Sequence, residues 1–377
     1  MTPTFVTRCV GPLIAALTVA CGSSAELPDV PGADSGNPSS GGLRPGEAGN
    51  GRLAYLIGVP GGFELEITNL TTGTIEYRSN DDDDGTVQRF VLSADGSTAA
   101  FQTPTSPCTR VSLPSGAKSN CTPDGLVVPE LVGISNDGTR IGFIGLRTGG
   151  SSGSTVASIL QGSTLTDVAT GSTSEVMSGS GAVSPSGDAF YTFAIDPSGG
   201  GSTRLLALTK HSVEGSPEVV FGFSAGVHSF GLLDTTLQLS EDGTRGLFRC
   251  GDPSRAVFAE QNSTCSVDLQ TGSVVLYPNA FGTLSLDGSA LITIPQVFAE
   301  GFSVYAFGSA TPTATVTQEG IAPALSPDAS RIGFRIRTDD AFQHAATRPV
   351  GAGAPVLVQR GPRQSRVPPN AALLWRR

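Results

Sequence analysis

The sequence predicts an all-β protein, a β-propeller whose four-stranded blades form a ring, and three observations support this prediction. A short hairpin pattern occurs six times, its copies lie 41 to 56 residues apart, and the 377 residues include 49 Gly and 26 Pro. A period of about 40 to 50 residues is typical of a four-stranded propeller blade. Gly and Pro break helices and form turns, so their abundance favours strands joined by tight connections.

The hairpin pattern is an apolar residue followed by Ser, any residue, Asp and Gly, and then by an apolar strand that often contains Phe. Gly provides the positive φ that a tight turn needs, and the Ser and Asp side chains cap N–H groups of the turn. We therefore interpret these aspartates as turn residues and not as metal ligands. The six copies begin at Leu92, Ile134, Val183, Leu239, Leu284 and Leu325.

One copy, Leu325-Ser326-Pro327-Asp328, comes closest to an apolar-Ser-Pro-Asp-Gly hairpin, with Ala329 in place of the Gly. Together with the other five copies it makes residues 50 to 377 resemble the WD40-like propeller repeat of the TolB type. The resemblance implies a propeller fold. It implies no single function, because such repeats occur in periplasmic proteins, in the propellers of peptidases and in lipoproteins.

The two ends of the repeat region predict how the ring closes. Leu53–Gly58 has the pattern of a second blade strand without a first, and Arg366–Trp375 has the pattern of one more degenerate hairpin. If both belong to one blade, the ring closes and no sheet edge stays open. Six internal copies and this composite blade give seven blades. Six blades, the number in TolB-type proteins, and eight blades are the alternatives.

The first 20 residues have the features of a bacterial signal peptide. A segment with one positive charge precedes the apolar run Cys9–Ala20, which is too short to span a membrane. The run ends in Leu-Thr-Val-Ala-Cys21, which resembles a lipobox, so we predict that Cys21 is lipidated. Thr18 stands where a lipobox usually has Leu, Val or Ile, and ordinary cleavage and secretion is the alternative. Residues 21–50 are rich in Gly, Pro and Ser and predict a flexible tether to the propeller, residues 51–377.

The remaining cysteines form two local pairs along the chain. An even number of cysteines in an exported protein predicts disulfides. A zinc site is the weaker alternative, because the chain has no Cys-x-x-Cys motif and only three His. The predicted location is the bacterial outer membrane, through the lipid anchor, facing the periplasm or the cell surface. The four cysteines are Cys108, Cys121, Cys250 and Cys265.

Charge and one acidic segment bear on the choice of ligand. The formal net charge of −10 argues against binding to nucleic acid. Asn80, Asp82 and Asp84 follow the opening of a calcium loop, but Val91 stands where the closing Glu would be. The segment is either a solvated hairpin tip or a calcium site, and calcium is the one cofactor that the sequence suggests.

The sequence predicts a monomeric binding scaffold for an envelope protein or a small ligand. Propellers carry function in their loops, so we place the contact face in the loops that enter the hairpin strands. The alternative is an enzyme, a lyase or hydrolase with an active site in the central funnel and perhaps bound calcium. No catalytic residue is assigned, and the chain is predicted not to be an enzyme. The candidate contact residues are Arg89, Glu130, Asp234, Glu319 and Arg366.

Overall fold

The computed structural model describes thirteen segments of the chain, and these contain strands and turns but no α-helix. Within these segments, no helix has the length and hydropathy that a membrane crossing requires. The described residues are 43–59, 62–79, 85–147, 154–172, 181–196, 203–223, 226–230, 237–251, 262–295, 301–317, 320–337, 343–358 and 373–377.

The strands are numbered in chain order. They are β1 Arg52–Val59, β2 Gly62–Asn69, β3 Thr74–Arg78, β4 Arg89–Leu92, β5 Thr98–Gln102, β6 Thr109–Ser112, β7 Ala117–Asn120, β8 Leu126–Ile134, β9 Arg140–Arg147, β10 Ser154–Gln161, β11 Thr164–Ser172, β12 Gly181–Val183, β13 Ala189–Ile195, β14 Thr203–Ser212, β15 Glu218–Phe221, β16 His228–Phe230, β17 Gln238–Leu239, β18 Arg245–Gly251, β19 Asn262–Asp268, β20 Val274–Tyr277, β21 Ala280–Leu284, β22 Ala290–Pro295, β23 Phe302–Ala306, β24 Pro312–Val316, β25 Ile321–Leu325, β26 Arg331–Arg337, β27 Gln343–Pro349, β28 Val356–Leu357 and β29 Leu374–Arg376.

These strands form seven four-stranded antiparallel blades in a ring, which confirms the predicted propeller and its blade number. Blades 2, 3 and 4 consist of β4–β7, β8–β11 and β12–β15, and blades 5, 6 and 7 consist of β17–β20, β21–β24 and β25–β28. The extra strand β16 pairs with both β14 and β18, and so joins blades 4 and 5 into one sheet. Each predicted hairpin connects the first strand of a blade to its second.

Blade 1 closes the ring, as the sequence predicted. Its strand order is β29-β1-β2-β3, so the strand nearest the C-terminal end of the chain is the innermost strand of a blade that begins at Arg52. In the register of this pair, Leu53 lies opposite Trp375. The indole N–H of Trp375 donates to the carbonyl of Asn50 at 2.7 Å, and only 1% of the side chain is exposed. Closure therefore combines main-chain pairing with burial of the single Trp.

The hydrophobic core consists of seven clusters, and each cluster lies between two neighbouring blades. The cluster between blades 4 and 5, for example, contains Tyr191 and Phe193 from one blade and Phe248 and Val267 from the next. The other six clusters fill the other six seams of the ring. Alternate residues of a blade thus pack against the next blade, since neighbouring side chains of a strand point to opposite faces of the sheet.

Both predicted disulfides are present. Cys108 and Cys121 join the third and fourth strands of blade 2, and Cys250 and Cys265 join β18 and β19 in blade 5. In the chain-entropy model, a disulfide that closes a loop of about 15 residues contributes about 3 kcal/mol to stability. We call the side of the ring with the predicted hairpins the hairpin end, and the opposite side, where one blade connects to the next, the loop end.

Candidate functional site

The hairpin end is built from one hydrogen-bonded unit that repeats in six blades. In blade 3 the hydroxyl of Ser135 accepts the N–H of Arg140 at 3.0 Å and donates to Asp137 at 2.6 Å. Asp137 in turn accepts the N–H of Thr139 at 3.0 Å. The same Ser and Asp pairing occurs in the other five hairpins. The aspartates of the motif are therefore turn residues, as predicted.

Neighbouring hairpins are joined through the residue that follows the Ser. The N–H of Asn136 donates to the carbonyl of Pro185 in the next blade at 2.8 Å, and the N–H of Glu241 donates to the carbonyl of Leu286 at 2.7 Å. Pro185 itself has no N–H to donate, so blade 4 cannot make this bond to blade 5. The side-chain amide of Asn136 reaches over blade 4 and donates to the carbonyl of Glu241 at 2.8 Å.

The hairpin of blade 4 also differs in the order of its polar residues. Its sequence is Ser184-Pro185-Ser186-Gly187-Asp188, so Ser186 stands where the other hairpins have Asp. Asp188 still accepts from both hydroxyls, from Ser184 at 2.9 Å and from Ser186 at 2.5 Å. The turn keeps its internal hydrogen bonds, but its carboxylate lies two residues further along the chain and faces blade 4's second strand.

A polar cleft lies at this irregular hairpin. It encloses about 530 Å³, within the range of about 300–1,000 Å³ that is typical of small-molecule sites. Its walls come from the hairpins of blades 3, 4 and 5 and from the second and third strands of blade 4. The lining residues used below are Asn136, Asp137, Asp188, Tyr191, Lys210 and Asp242.

Two polar side chains from the strands of blade 4 also line the cleft. Tyr191 on β13 and Lys210 on β14 are cross-strand partners. Only 4% of Tyr191 is exposed, and the residue packs in the core between blades 4 and 5. Lys210 is half-buried, and its charge adds to the effect of the Ser186 hydroxyl, which is the main cause that lowers the pKa of Asp188. The cleft therefore combines one hydroxyl, one ammonium group and several carboxylates.

The electrostatics of the cleft keep its groups in fixed protonation states at neutral pH. Burial raises the pKa of the Tyr191 hydroxyl to about 12, and the nearby Glu218 and Asp188 act in the same direction. The Tyr191 hydroxyl therefore stays protonated at neutral pH and is able to donate a hydrogen bond. The hydroxyl of Ser186 lowers the pKa of Asp188, and the hydroxyl of Ser135 lowers that of Asp137. The rim is consequently anionic.

Glu241 and Asp242 complete the rim from blade 5. Partial burial opposes ionisation of Asp242, but hydrogen bonds from Ser240 and Thr244 outweigh it and lower the pKa of the carboxyl. Glu241 forms an ion pair at 2.7 Å with Arg377, which belongs to blade 1 on the far side of the ring. Arg377 also donates its N–H to the carbonyl of Ala94 at 3.3 Å. The cleft therefore adjoins an ion pair that crosses the ring.

Two of the predicted contact residues meet at the loop end. Arg89 on β4 and Glu130 on β8 form an ion pair between blades 2 and 3. Beside them, Gln102 donates to the carbonyl of Pro129 at 3.0 Å and accepts the N–H of Leu131 at 3.1 Å. These contacts join the two blades, and a role in binding stays a prediction. Asp234, Glu319 and Arg366 lie outside the described residues.

The predicted calcium ligands and the lipidation site also lie outside the described residues. These are Asn80, Asp82 and Asp84 for calcium, and Cys21 for the lipid. Among the residues that the structure does describe, no three His, Cys, Asp or Glu side chains are grouped as a metal site requires. Calcium binding and lipidation therefore stay predictions.

Sequence reasoning missed Tyr191 and Lys210, although the repeat contains a signal for Tyr191. The residue seven positions after the hairpin Ser is small in three blades, where it is Ala100, Gly142 and Gly333. In blade 4 the same position holds Tyr191. A Tyr at a position that the other five repeats fill with Gly, Ala, Leu or Ile marks a local departure from the blade pattern, and an alignment of the six copies would reveal it.

Comparison with known proteins gives a fold and no family. Neither a protein-family model nor a curated protein matches this sequence. Among solved structures, an oligogalacturonate lyase in complex with manganese is 13% identical, with a TM-score of 0.52 over 81% of this chain and 85% of its own. TolB from Acinetobacter baumannii is 14% identical, with a TM-score of 0.42 over 80% of this chain and 78% of its own.

The β-propeller domain of the trilobed protease from Pyrococcus furiosus is also similar, and it illustrates a difference in closure. It is 13% identical, with a TM-score of 0.53 over 82% of this chain and 95% of its own, and it is described as having an open velcro topology. In the present chain β29 pairs with β1 and closes the ring. At such low identity these similarities show the propeller fold alone.

Proposed function

We propose that this protein is an exported binding module of the bacterial cell envelope, whose propeller holds a ligand in the cleft at blades 3 to 5. The observation that carries the proposal is the cleft itself, in which the Tyr191 hydroxyl, the Lys210 ammonium group and carboxylates from three hairpins line one space of about 530 Å³. A cleft of this volume with a few convergent polar groups is typical of a small-molecule site.

The two disulfides support export, because disulfides persist in oxidising compartments. Anchoring through a lipid on Cys21 is part of the proposal. Expression of the full chain and of Cys21→Ser in a bacterium, followed by fractionation and mass spectrometry, tests the anchor. We expect a lipid adduct on the N-terminal peptide of the wild-type protein and release of the variant from membranes. An unmodified Cys21 or a membrane-bound variant would contradict it.

Ligand binding is tested by thermal-shift screening of the folded protein against a library of small polar molecules. We expect a subset of compounds to raise the Tm of the wild-type protein and to leave that of Tyr191→Phe and Lys210→Met unchanged. Asp287→Asn is the matched control, because Asp287 makes the same hairpin hydrogen bonds in blade 6 but does not line the cleft. Compounds that stabilise wild type and both cleft variants equally would overturn the assignment of the cleft.

A propeller enzyme is the second candidate, and the shared fold with an oligogalacturonate lyase in complex with manganese is the observation that favours it. The cleft carboxylates argue for binding instead, because their lowered pKa values make them weak bases at neutral pH. Incubation of the protein with oligogalacturonates, with and without manganese or calcium, tests the second candidate. Product formation that survives in Tyr191→Phe would assign an enzyme whose active site lies elsewhere.

A further inference from the structure

We infer that residues 43–51 form a strap that fastens the ring of blades, and that opening of the ring is controlled at this segment. The strap precedes β1 and lies at the hairpin end. It adjoins the break in the ring, where the innermost strand of blade 1 comes from the other end of the repeat region. Across this break β29 and β1 pair over only three residues each, Leu374–Arg376 and Arg52–Ala54. So short a pairing needs further contacts to keep the ring closed.

One set of contacts binds the strap to blade 1. Gly46 donates its N–H to the carbonyl of Leu70 at 3.0 Å, and Leu70 donates its own N–H to the carbonyl of Gly51 at 2.8 Å. The N–H of Gly51 donates to the hydroxyl of Thr71 at 3.0 Å. Leu70 and Thr71 lie in the turn between β2 and β3. The strap is therefore held on blade 1 on both sides of its middle residues.

A second set of contacts binds the middle of the strap to the other side of the break. The hydroxyl of Thr347 on β27 donates to the carbonyl of Ala48 at 2.7 Å, and the indole N–H of Trp375 on β29 donates to the carbonyl of Asn50 at 2.7 Å. Both donor side chains are buried. A buried donor that loses its acceptor destabilises the fold, so the strap cannot leave blade 7 and β29 without a loss of stability.

The strap also completes the hydrophobic core between blades 7 and 1. Leu43 and Ala48 are buried in the same cluster as Leu53 and Trp375. Gly49 lies against the indole, and a Cβ atom at this glycine would approach Cζ2 of Trp375 to 2.9 Å. Departure of the strap would expose apolar surface of the indole to water, which is unfavourable. The strap and the closed ring therefore stabilise each other.

The strap takes the place of a contact that other neighbouring hairpins make with each other. The hairpin of blade 2 donates the N–H of Asp95 to the carbonyl of Asn136 at 3.1 Å. The hairpin of blade 6 donates the N–H of Asp287 to the carbonyl of Pro327 at 3.4 Å. Blade 7 has no hairpin beside it in blade 1, because β29 and β1 come from opposite ends of the repeat region. The strap fills this position, so control of opening is assigned to it.

A passive cap would make the same contacts but would leave the ring closed after they are weakened. The two alternatives differ in what happens to the pairing of β29 with β1. The difference matters for an anchored protein, because the strap lies between the ring and Cys21, the proposed lipidation site, along the chain. A force on the anchored end of the chain would reach the ring first at the strap.

The test is tryptophan fluorescence and hydrogen exchange of the full chain, in which Trp375 is the single Trp. Thr347→Val removes the hydroxyl that donates to Ala48 and keeps the shape of the side chain. We expect a red-shifted emission of Trp375, steeper quenching by acrylamide, and faster exchange of the β1 and β29 amides. Thr264→Val is the matched control, because the buried Thr264 hydroxyl also donates to a carbonyl, that of Ala280, at 2.7 Å. It should lower the Tm by a similar few degrees without changing Trp375 emission or exchange at β1 and β29.

A second pair of variants acts on the strap itself. Gly49 and Gly46 both adopt a positive φ, of 117° and 70°, but a Cβ atom at Gly46 would meet no atom within 4 Å. We expect Gly49→Ala to accelerate exchange at β1 and β29, and Gly46→Ala to leave it close to that of the wild-type protein. Unchanged exchange in both Thr347→Val and Gly49→Ala would overturn the inference, since the ring would stay closed on a weakened strap. Equal acceleration within either matched pair would also overturn it, because the cause would then be backbone strain or a general loss of stability.

Discussion

The closure seam between blades 7 and 1 and the cleft at blade 4 both contain a buried tyrosine, and they treat it in opposite ways. In the seam, the Tyr55 hydroxyl donates to Glu66 at 2.5 Å and lies 3.1 Å from the hydroxyl of Thr68. Glu66 also forms an ion pair with Arg78. In the cleft, only 4% of Tyr191 is exposed, and the residue belongs to the lining of the cleft.

The contrast separates polar groups that hold the ring together from those that are available to a ligand. The seam also pairs buried Arg335 with the carbonyl of Leu56 at 2.9 Å, so charge and hydroxyl alike are satisfied by neighbouring blades. A buried polar group that has its partners contributes to stability. The polar groups that line the cleft are instead open to a ligand, and a ligand that binds only the folded state would add stability.

The largest expected effect is at the seam, from Trp375→Ala. Trp375 is 1% exposed, and a Cβ atom on the neighbouring Gly333 would approach its ring to 3.2 Å, so the ring fills its site closely. We expect a loss of about 3–5 kcal/mol in the free energy of unfolding, measured by urea denaturation. Lys210→Met at the cleft should change it by less than about 0.5 kcal/mol. A seam variant as stable as the cleft variant would contradict this account of closure.

The two tyrosines sharpen the comparison, because the same change removes one hydroxyl at each place. Tyr55→Phe removes the hydroxyl that donates to Oε1 of buried Glu66, and we expect a loss of about 1–3 kcal/mol in the free energy of unfolding. Tyr191→Phe removes a hydroxyl that lines the cleft, so we expect a change of less than about 0.5 kcal/mol. Denaturant unfolding of both variants measures the difference. Equal losses would show that the Tyr191 hydroxyl is also used by the fold.

Alkaline pH should affect both tyrosines in the same direction. Burial raises the pKa of Tyr55 well above 10.0, and that of Tyr191 to about 12. A group with a raised folded-state pKa gives its full stabilisation below its unfolded pKa and loses it as pH rises through the folded value. We therefore expect the Tm to fall above about pH 10, and to fall less steeply in Tyr55→Phe. If the Tm fell equally steeply with pH in the wild-type protein and in Tyr55→Phe, Tyr55 would not contribute to the loss of stability at alkaline pH.

The smallest expected effect is in the hairpins that frame the cleft. Asp242→Asn and Asp287→Asn change the same position of two equivalent hairpins. In each hairpin the Asp Oδ1 accepts a hydrogen bond from the Ser hydroxyl, at 2.6 Å for Asp242 and at 2.7 Å for Asp287. We expect each to reduce stability by about 1 kcal/mol, as for one hydrogen bond, and by amounts that agree within about 0.5 kcal/mol. Thermal unfolding measures both. A much larger loss in Asp242→Asn would show that this carboxylate has a structural role beyond its own turn.

Much of the fold could be predicted from the sequence because its signals are local and repeated. Each Ser-x-Asp-Gly unit forms the same hairpin, and Gly96 and Gly138, for example, adopt the positive φ that the turn needs. In the sixth copy Ala329 takes this conformation at φ 56°, so the position tolerates a Cβ atom. Blade number, closure and the two disulfides followed from spacing along the chain and are confirmed.

The cleft could not be predicted in the same way, because it depends on contacts between blades. Asn136 and Glu241 are 105 residues apart, and their hydrogen bond forms only when the ring places the hairpins of blades 3 and 5 on either side of blade 4. The ion pair between Arg89 and Glu130 is another contact between blades. The sequence predicted both residues to contact a ligand, whereas the ring places them in contact with each other.

By itself, the sequence determined a ring of seven blades, the hairpin that joins the first two strands of six blades and the way in which the ring closes. These features come from short-range patterns, in which turn chemistry and alternating apolar residues act within one blade. Only the tertiary structure decided which polar side chains meet in one cleft. That outcome depends on the distances between side chains of different blades, and such distances are fixed only when all seven blades pack together.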